Sequence, residues 1–451
     1  MKKCISILLL LCVLLCSMNL GVASAEDEKI FAGHTIVYTG TGDSTEQAAT
    51  QAVIDKFMED TGCEVKTIFI GDNYDTKITA MIAANETIDI GQMESGTIAY
   101  KLAEQGKFEP LDSYLEADGI SLDNYVGGAY YYDNDGNIIS YSGAIELMQM
   151  FYCKDAFDEA GLDYPPADPD EAWTWDEFVD VAMKLTKDAN GKTPYDEGFD
   201  SENIVRYGVN MSIWWPIWGS FVLSNGGELV DSEGNFALNQ PAAVEAIQKV
   251  ADLSLVNHCM PNTVQQEGMP GSDVALLTGT YAMVIDGQWL ALQLSESGVD
   301  FEVGAMPKMG DTCVSVCTNS MTVIMSDSTE KEAAWALLKY MNDPSTNITL
   351  FENGNLMPAE KKWLTEEEYL NQWAAEGNPA RPSTYSGIIK MLMNNAVPPL
   401  TANIIGFPDM IDIVNTQMDE IMYGNKTAQE GMDDAAASIQ AAGIVLGTRG
   451  N

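Results

Sequence analysis

Over residues 35–90 the sequence alternates short β-branched runs with stripes of helical period, and this alternation narrows the choice of fold more than any other feature. Thr35-Ile36-Val37-Tyr38-Thr39 reads as a strand, and Gly40-Thr41-Gly42-Asp43 turns it toward a helix beginning near Ser44. Ser44 and Gln47 form a capping-box pair, with Val53, Ile54, Phe57 and Met58 on one face of the helix they open. Residues 65–70 predict a second strand, 75–84 a second helix, and Thr87-Ile88-Asp89-Ile90 a third strand. Strands separated by helices join one sheet through crossovers, so the expectation is an α/β fold whose mainly parallel sheet is covered on both faces.

Helix signals continue along the chain. Thr174 and Glu177 form a second capping box ahead of Phe178, Val181, Ala182 and Leu185. Pro241 suits the first turn of a helix running to about Leu255, where a missing N–H costs little. Ala334, Leu337, Leu338 and Met341 repeat the stripe, and Thr427 with Glu430 caps a last helix. With 451 residues, two or three domains are expected, and two lobes is the starting expectation. No repeat or long flexible linker divides the halves, which argues against beads on a string.

The first 25 residues read as a secretory signal: Lys2 and Lys3, an apolar run from Ile5 to Cys16, and Ala23-Ser24-Ala25 before acidic Glu26. A competing reading anchors the chain by lipid at Cys16, although Leu15 stands where a small residue is wanted. No later apolar run approaches the roughly 20 residues of a membrane-spanning helix, so a secreted or surface-associated chain is expected. Of eight cysteines, Cys63, Cys153, Cys259, Cys313 and Cys317 remain after the leader. That odd number excludes complete pairing within one chain, and buried thiols are the favoured reading. The net charge of −44, with arginine only at Arg206, Arg381 and Arg449, argues against nucleic acid and anionic membranes as partners.

Signatures of catalysis are missing. There is no P-loop, and Gly40-Thr41-Gly42 lacks the third glycine of a dinucleotide fingerprint. His34 and His258 stand in no metal or nucleophile motif. Asp133-Asn134-Asp135-Gly136-Asn137 resembles the start of a calcium loop, but Ile138 and Ala144 occupy positions that should be glycine and carboxylate, so a hairpin turn is expected. No metal or cofactor is called for. Abundant acids make chance carboxylate pairs uninformative about glycoside hydrolysis. Trp214, Trp215 and Trp218 around Pro216, and Trp289 after Gly287, are candidates for stacking against apolar sugar faces, although such residues more often build a core.

The order of several short motifs resembles the extracellular solute-binding proteins of ABC importers, specifically the sugar-binding family that includes the maltose-binding proteins. Gly106-Lys107-Phe108-Glu109-Pro110-Leu111-Asp112 is similar to the family's G-x-x-x-P-L-D. Phe151-Tyr152-Cys153-Lys154 resembles its Y-N-K pattern with Cys153 in place of Asn, and Trp173-Thr174-Trp175-Asp176-Glu177-Phe178 resembles T-W-x-E-F. Gly226-Gly227-Glu228, Ile285-Asp286-Gly287-Gln288-Trp289, Lys331-Glu332-Ala333-Ala334-Trp335 and Met357-Pro358-Ala359 come next, in family order.

The resemblance implies a two-lobed periplasmic-binding-protein-like fold of type II, with hinge strands between lobes and solute held in the cleft. After a 1–25 signal peptide, lobe 1 would comprise 26–144 plus about 313–356, and lobe 2 about 145–312 plus 357–451. It implies ligand-binding positions at Asp43, Ser44, Glu94, Ser95, Glu146, Trp214, Trp218, Trp289 and Phe407. Ser142, where the family often carries Pro, and Cys153 make the first hinge crossing the least certain part. The implied function is capture of a sugar, expected to be a neutral oligosaccharide because anions would want arginine, and delivery to an importer permease by a monomer without enzymatic activity. The alternatives are a secreted glycan-degrading enzyme, or the same fold binding a polyamine or peptide.

Overall fold

The computed structural model describes residues 29–449 apart from Asp43, Asp72, Glu94 and Ser95. The signal-peptide and Cys16 readings therefore lie outside the described residues. A four-stranded sheet runs in the order Met321–Ile324, Ile90–Met93, Thr35–Gly40, Glu64–Phe69. Thr35–Gly40 is parallel to both of its neighbours, and Met321–Ile324 enters antiparallel to Ile90–Met93. The helices Ser44–Thr61 and Tyr74–Ala83 alternate with these strands, as expected, and a further helix, Gly96–Glu104, follows the third strand.

Strand alternation distributes the side chains between two cores, as it must when both faces of a sheet are covered. Ile324 joins Ile36, Tyr38, Ile54 and Phe57 on one face, whereas Val323 joins Ile78, Met93 and Tyr100 on the other. The third strand lies at Ile90–Met93 rather than 87–90. Asp89 sits just before it because its carboxylate accepts the Val37 N–H at 2.8 Å, bonding to the neighbouring strand from a side chain.

The second sheet is mixed, which corrects the expectation of mainly parallel pairing. Its order is Ala396–Val397, Ser315–Thr318, Ala144–Tyr152, Tyr281–Gly287, Ile204–Met211, Lys187–Asp188. Ile204–Met211 and Tyr281–Gly287 are parallel, but the central strand Ala144–Tyr152 is antiparallel to Tyr281–Gly287 and to Ser315–Thr318. The central strand follows directly on the strand Ile138–Tyr141 of a separate two-stranded sheet rather than a local crossover, so its direction is not set by a βαβ unit. Its inner residues Leu147, Met148, Met150 and Phe151 are buried in the large core that also holds Phe178, Val209, Ile247 and Val284.

The chain passes between the two sheets near Ser142–Ala144, at Asn319–Ser320, and between helix Lys331–Asn342 and strand Met357–Pro358. Ser315–Thr318, assigned to lobe 1 by the sequence boundaries, hydrogen-bonds in the second sheet. At the first crossing the Gly143 N–H donates to Asn342 Oδ1 at 3.0 Å, while Asn342 Nδ2 donates to the Tyr141 carbonyl. A Cβ on Gly143 would stand 1.9 Å from the Asn342 carbonyl oxygen, so this close approach needs glycine.

The capping boxes at Thr174/Glu177 and Thr427/Glu430 are both formed, and Pro241 opens helix Pro241–Leu255. Asp133–Asn137 is the turn between strands Tyr130–Tyr132 and Ile138–Tyr141, its Asp133 carboxylate accepting the N–H groups of Asp135 and Asn137. All five cysteines of the described chain are free: four are buried and Cys153 is half-buried. Burial pushes the Cys63 and Cys153 thiols up to about 11, which keeps them protonated and inert. Among the described residues no helix is long and apolar enough to cross a membrane.

Candidate functional site

Glu146 stands near the start of the central strand, paired in register with Thr318 on the returning crossing strand. Thr318 Oγ1 donates to Glu146 Oε2 at 2.9 Å. Burial pushes the Glu146 carboxyl from its ordinary 4.5 up to about 7, offset in part by the Thr318 hydroxyl and reinforced by Glu46 on helix Ser44–Thr61. An acid from the first unit thus acts electrostatically on the crossing-strand carboxylate, which faces one space.

That space is a cavity of about 350 Å³ between the two sheets. Met93, Tyr131 and Met321 come to it from the first unit, Glu146, Thr318, Asn319 and Ser320 from the crossings, and Trp214, Trp215 and Phe407 from the second. Tyr131 is fixed in turn by its hydroxyl donating to the Asn319 carbonyl at 3.1 Å. A smaller chamber of about 130 Å³ shares Asn319 and Ser320 with it and reaches Tyr38, Gln92 and Asn347. The cavity therefore lies beyond the carboxyl end of Ile90–Met93, where parallel α/β sheets place their sites. A larger groove of about 910 Å³ is lined only by residues 295–389 of the second unit, so no movement of one unit against the other would close it.

The aromatic wall arises from local backbone. Trp214 is the extended N-cap residue before helix Trp215–Ser224, which leaves its ring 38% exposed and on the cavity. Trp215 packs edge-on against Phe407 at 5.1 Å, and Phe407 opens helix Phe407–Met422, which adds Ile411, Asp412 and Asn415 to the lining. Trp218 corrects the sequence reading. It is 1% exposed within the helix core and does not line the cavity, because the helix that presents Trp214 at its start turns Trp218 toward the second sheet's core.

Trp289 stands one layer back. Its ring lies against Gly287, where a Cβ would come within 2.0 Å of the indole, and its side chain donates to the Asp286 carboxylate. It contacts Trp214 at 5.7 Å between ring centroids but is not among the residues lining the cavity. Burial raises Asp286 to about 6, opposed by hydrogen bonds from the Gly287 N–H and Trp289. Of the site residues expected from the sequence, the cavity brings together Glu146, Trp214 and Phe407. Asp43, Glu94 and Ser95 lie outside the described residues, as does the side chain of Ser44.

The profile of the family described as bacterial extracellular solute-binding protein matches residues 41–348. The chain belongs to the bacterial extracellular solute-binding proteins. One relative is the sn-glycerol-3-phosphate-binding periplasmic protein of Brucella abortus, 24% identical over 397 residues that span 82% of this chain and 84% of that one. Among solved structures, an ABC substrate-binding protein from Listeria monocytogenes in complex with cycloalternan superposes with a TM-score of 0.74 at 20% identity, covering 91% of this chain and 99% of that one. Maltose-bound MalE3 of T. maritima gives a TM-score of 0.70 at 17% identity, covering 90% and 99%. The fold is the two-lobed architecture of the solute-binding components of ABC transporters.

For a solute-binding protein the cavity holds residues that sequence reasoning passed over. Asp412 and Asn415 lie on a helix face, where acids and amides are ordinarily solvated, so nothing in their spacing marks them, and the same holds for Glu46, which acts on Glu146 without lining the cavity. Asn319 and Ser320 had a usable signal: an Asn-Ser pair, typical of a turn, between two short strand runs, Ser315–Thr318 and Met321–Ile324. Asp286 sat inside the quoted Ile285-Asp286-Gly287-Gln288-Trp289 motif, and only the tryptophan was taken from it.

Proposed function

We propose that this solute-binding protein captures a neutral oligosaccharide in the interlobe cavity and delivers it to its permease without chemical change. One observation carries the reading: the cavity brings the aromatic residues Trp214, Trp215 and Phe407 together with Glu146, Thr318, Asn319 and Asn415, and no basic side chain is among its described lining residues. Aromatic faces suit the apolar side of a sugar ring, and carboxylates, amides and hydroxyls suit its hydroxyl groups. A phosphate such as that of sn-glycerol-3-phosphate would want arginine or lysine at the site, so the Brucella relative's ligand does not suit these residues.

The crossings at Ser142–Ala144, Asn319–Ser320 and 343–356 would serve as the hinge, with 29–142 and 321–342 moving against the remainder. Ligand touching both sides stabilises the closed form. The chain would act as a monomer outside the cytoplasm, anchored by lipid or released.

A thermal-shift screen of the mature chain tests this against neutral mono- and oligosaccharides, sugar phosphates, polyamines and short peptides. A ligand at 100 times its Kd adds about 2.7 kcal/mol, which moves the melting midpoint measurably. Shifts confined to neutral saccharides, recovered intact afterwards, support the reading. A response to sugar phosphates or polyamines alone would overturn it, and release of reducing ends would replace it with a hydrolase.

A further inference from the structure

Helix Leu400–Asn403, which follows the second sheet's strand Ala396–Val397, is buried in both lobes at once. Its Leu400 lies in the large second core, as does Ile404 just after it, whereas Ala402 lies in the first lobe's core with Ile78, Met93 and Tyr131. The lead-in is short and stiff. Val397 pairs with Val316 in the second sheet, and only Pro398 and Pro399, each with a fixed φ, separate it from the helix. These prolines lie against the first lobe's Gly128, where φ is +94° and a Cβ would stand 2.9 Å from Pro399.

Arg449 fastens this segment. Strand Gly447–Thr448 pairs antiparallel with Ile404–Ile405, and the Arg449 N–H donates to the Asn403 carbonyl at 2.7 Å. From there the side chain reaches the first lobe, where its guanidinium covers the Tyr100 ring and Nε donates to Asn134 Oδ1 at 2.9 Å. Nη1 meanwhile donates to the Thr401 and Ile404 carbonyls at 3.1 and 2.9 Å. Arg449 is 8% exposed, so water competes little for these bonds. Lys101 of the first lobe's helix Gly96–Glu104 adds an ion pair at 2.9 Å with Asp409 of helix Phe407–Met422. Pro399, Thr401 and Phe407 line the interlobe cavity, so the fastening runs along one side of it.

We propose that residues 398–405, fastened by Arg449, are an interlobe strap: they stay seated on the first lobe as the lobes move, so the cavity pivots along this side and its other side opens only as far as the strap permits. The inference takes the hinge above as given, needs no particular solute, and makes 398–405 the exception to the division of the chain at the crossings. Detaching the strap would strip Ala402 from a core, break the three side-chain hydrogen bonds of Arg449 and uncover Tyr100, whereas rotation about it keeps these contacts. A limited open form also stays near the binding-competent arrangement, so less binding free energy goes into closure.

The test uses the ligand-free mature chain. In the wild type the Ala402 and Arg449 amides, which donate to the Pro399 and Asn403 carbonyls, should exchange hydrogen at least about a hundredfold more slowly than in an unfolded chain. Weaker protection means that the strap detaches, and overturns the proposal. Small-angle scattering then compares the wild type with Arg449→Met and with the double variant Pro398→Gly/Pro399→Gly, each checked for native near-ultraviolet circular dichroism. Each should raise the radius of gyration by about 2% or more of the roughly 22 Å expected of a compact chain this long. An unchanged radius in either folded variant overturns the strap as a limit on opening. Should Arg449→Met fail to fold, the proline variant, which retains Arg449, decides. Neither readout involves a saccharide, so failure here leaves the sugar reading standing, and failure of that reading leaves the strap.

Discussion

Thr318 Oγ1 donates to Glu146 Oε2 at 2.9 Å across the two antiparallel strands that carry the chain between its sheets. The contact ties a cavity-lining carboxylate to the crossing strands. Any change in the angle between these strands would move a cavity carboxylate relative to Thr318.

The raised carboxyl sets the first prediction. In the unfolded chain Glu146 ionises near 4.5, whereas in the fold burial holds it near 7 beside Glu46, Tyr131 and Asp412. Between those values the folded state keeps a proton that the unfolded chain has lost, so the group's contribution to stability is full below about 4.5 and is lost as pH rises through about 7. Glu146→Gln removes this dependence. It should raise the ligand-free melting midpoint above wild type at pH 8, by an effect of about 1 to 3 kcal/mol, and leave it level at pH 4. Scanning calorimetry at the two pH values measures the difference.

The tryptophans separate binding from stability. Trp214→Ala removes a partly exposed ring from the cavity wall and should weaken saccharide binding about tenfold or more, with a small change in urea midpoint. Trp218→Ala empties a core position and should cost about 3 to 5 kcal/mol of stability. Binding isotherms and urea melts on the two variants should give opposite rankings.

Gly287→Ala should injure both properties. The added Cβ would stand 2.0 Å from the Trp289 ring, so the indole must leave Gly287 and the hydrogen bond to Asp286 must break. Overpacking of this kind costs about 1 to 3 kcal/mol. Near-ultraviolet circular dichroism should register the displaced indole, and saccharide affinity should fall.

Arg449 carries the last prediction. Its guanidinium lies 4.0 Å from the Tyr100 ring centroid, while Nη1 donates to the Thr401 and Ile404 carbonyls and Nε to Asn134 Oδ1. Arg449→Met leaves those buried acceptors unpaired and should destabilise the fold by about 1 to 3 kcal/mol. Arg449→Lys should not restore it, because a point ammonium cannot reach three acceptors from the face of a ring. Urea midpoints of the two variants check this.

Much of the fold was legible because the signals are local. The Thr174/Glu177 and Thr427/Glu430 boxes, Pro241 at a helix start, and the strand and helix alternation before Ile90 each depend on residues within a turn or two of one another. The third strand shifted to Ile90–Met93 because Asp89 bonds to Val37, a partner 52 residues away that no window of sequence contains. The second sheet became mixed for the same reason, since the direction of Ala144–Tyr152 is set by where the chain comes from.

The same division runs through the site. Residue type and motif order picked out Glu146, Trp214 and Phe407, three residues that the structure brings to one cavity, because a carboxylate at a crossing strand and rings beside loop signals are written in the sequence. They could not separate Trp214 from Trp218, four residues apart, because exposure depends on which side of helix Trp215–Ser224 meets the second sheet. Nor could they bring Glu46, 100 residues earlier, to bear on Glu146. Local residue order was sufficient for the elements, the family and the chemistry on offer. Which of those groups share a cavity, and how far burial moves their charges, was set by the packing of distant segments, because proximity and desolvation arise only there.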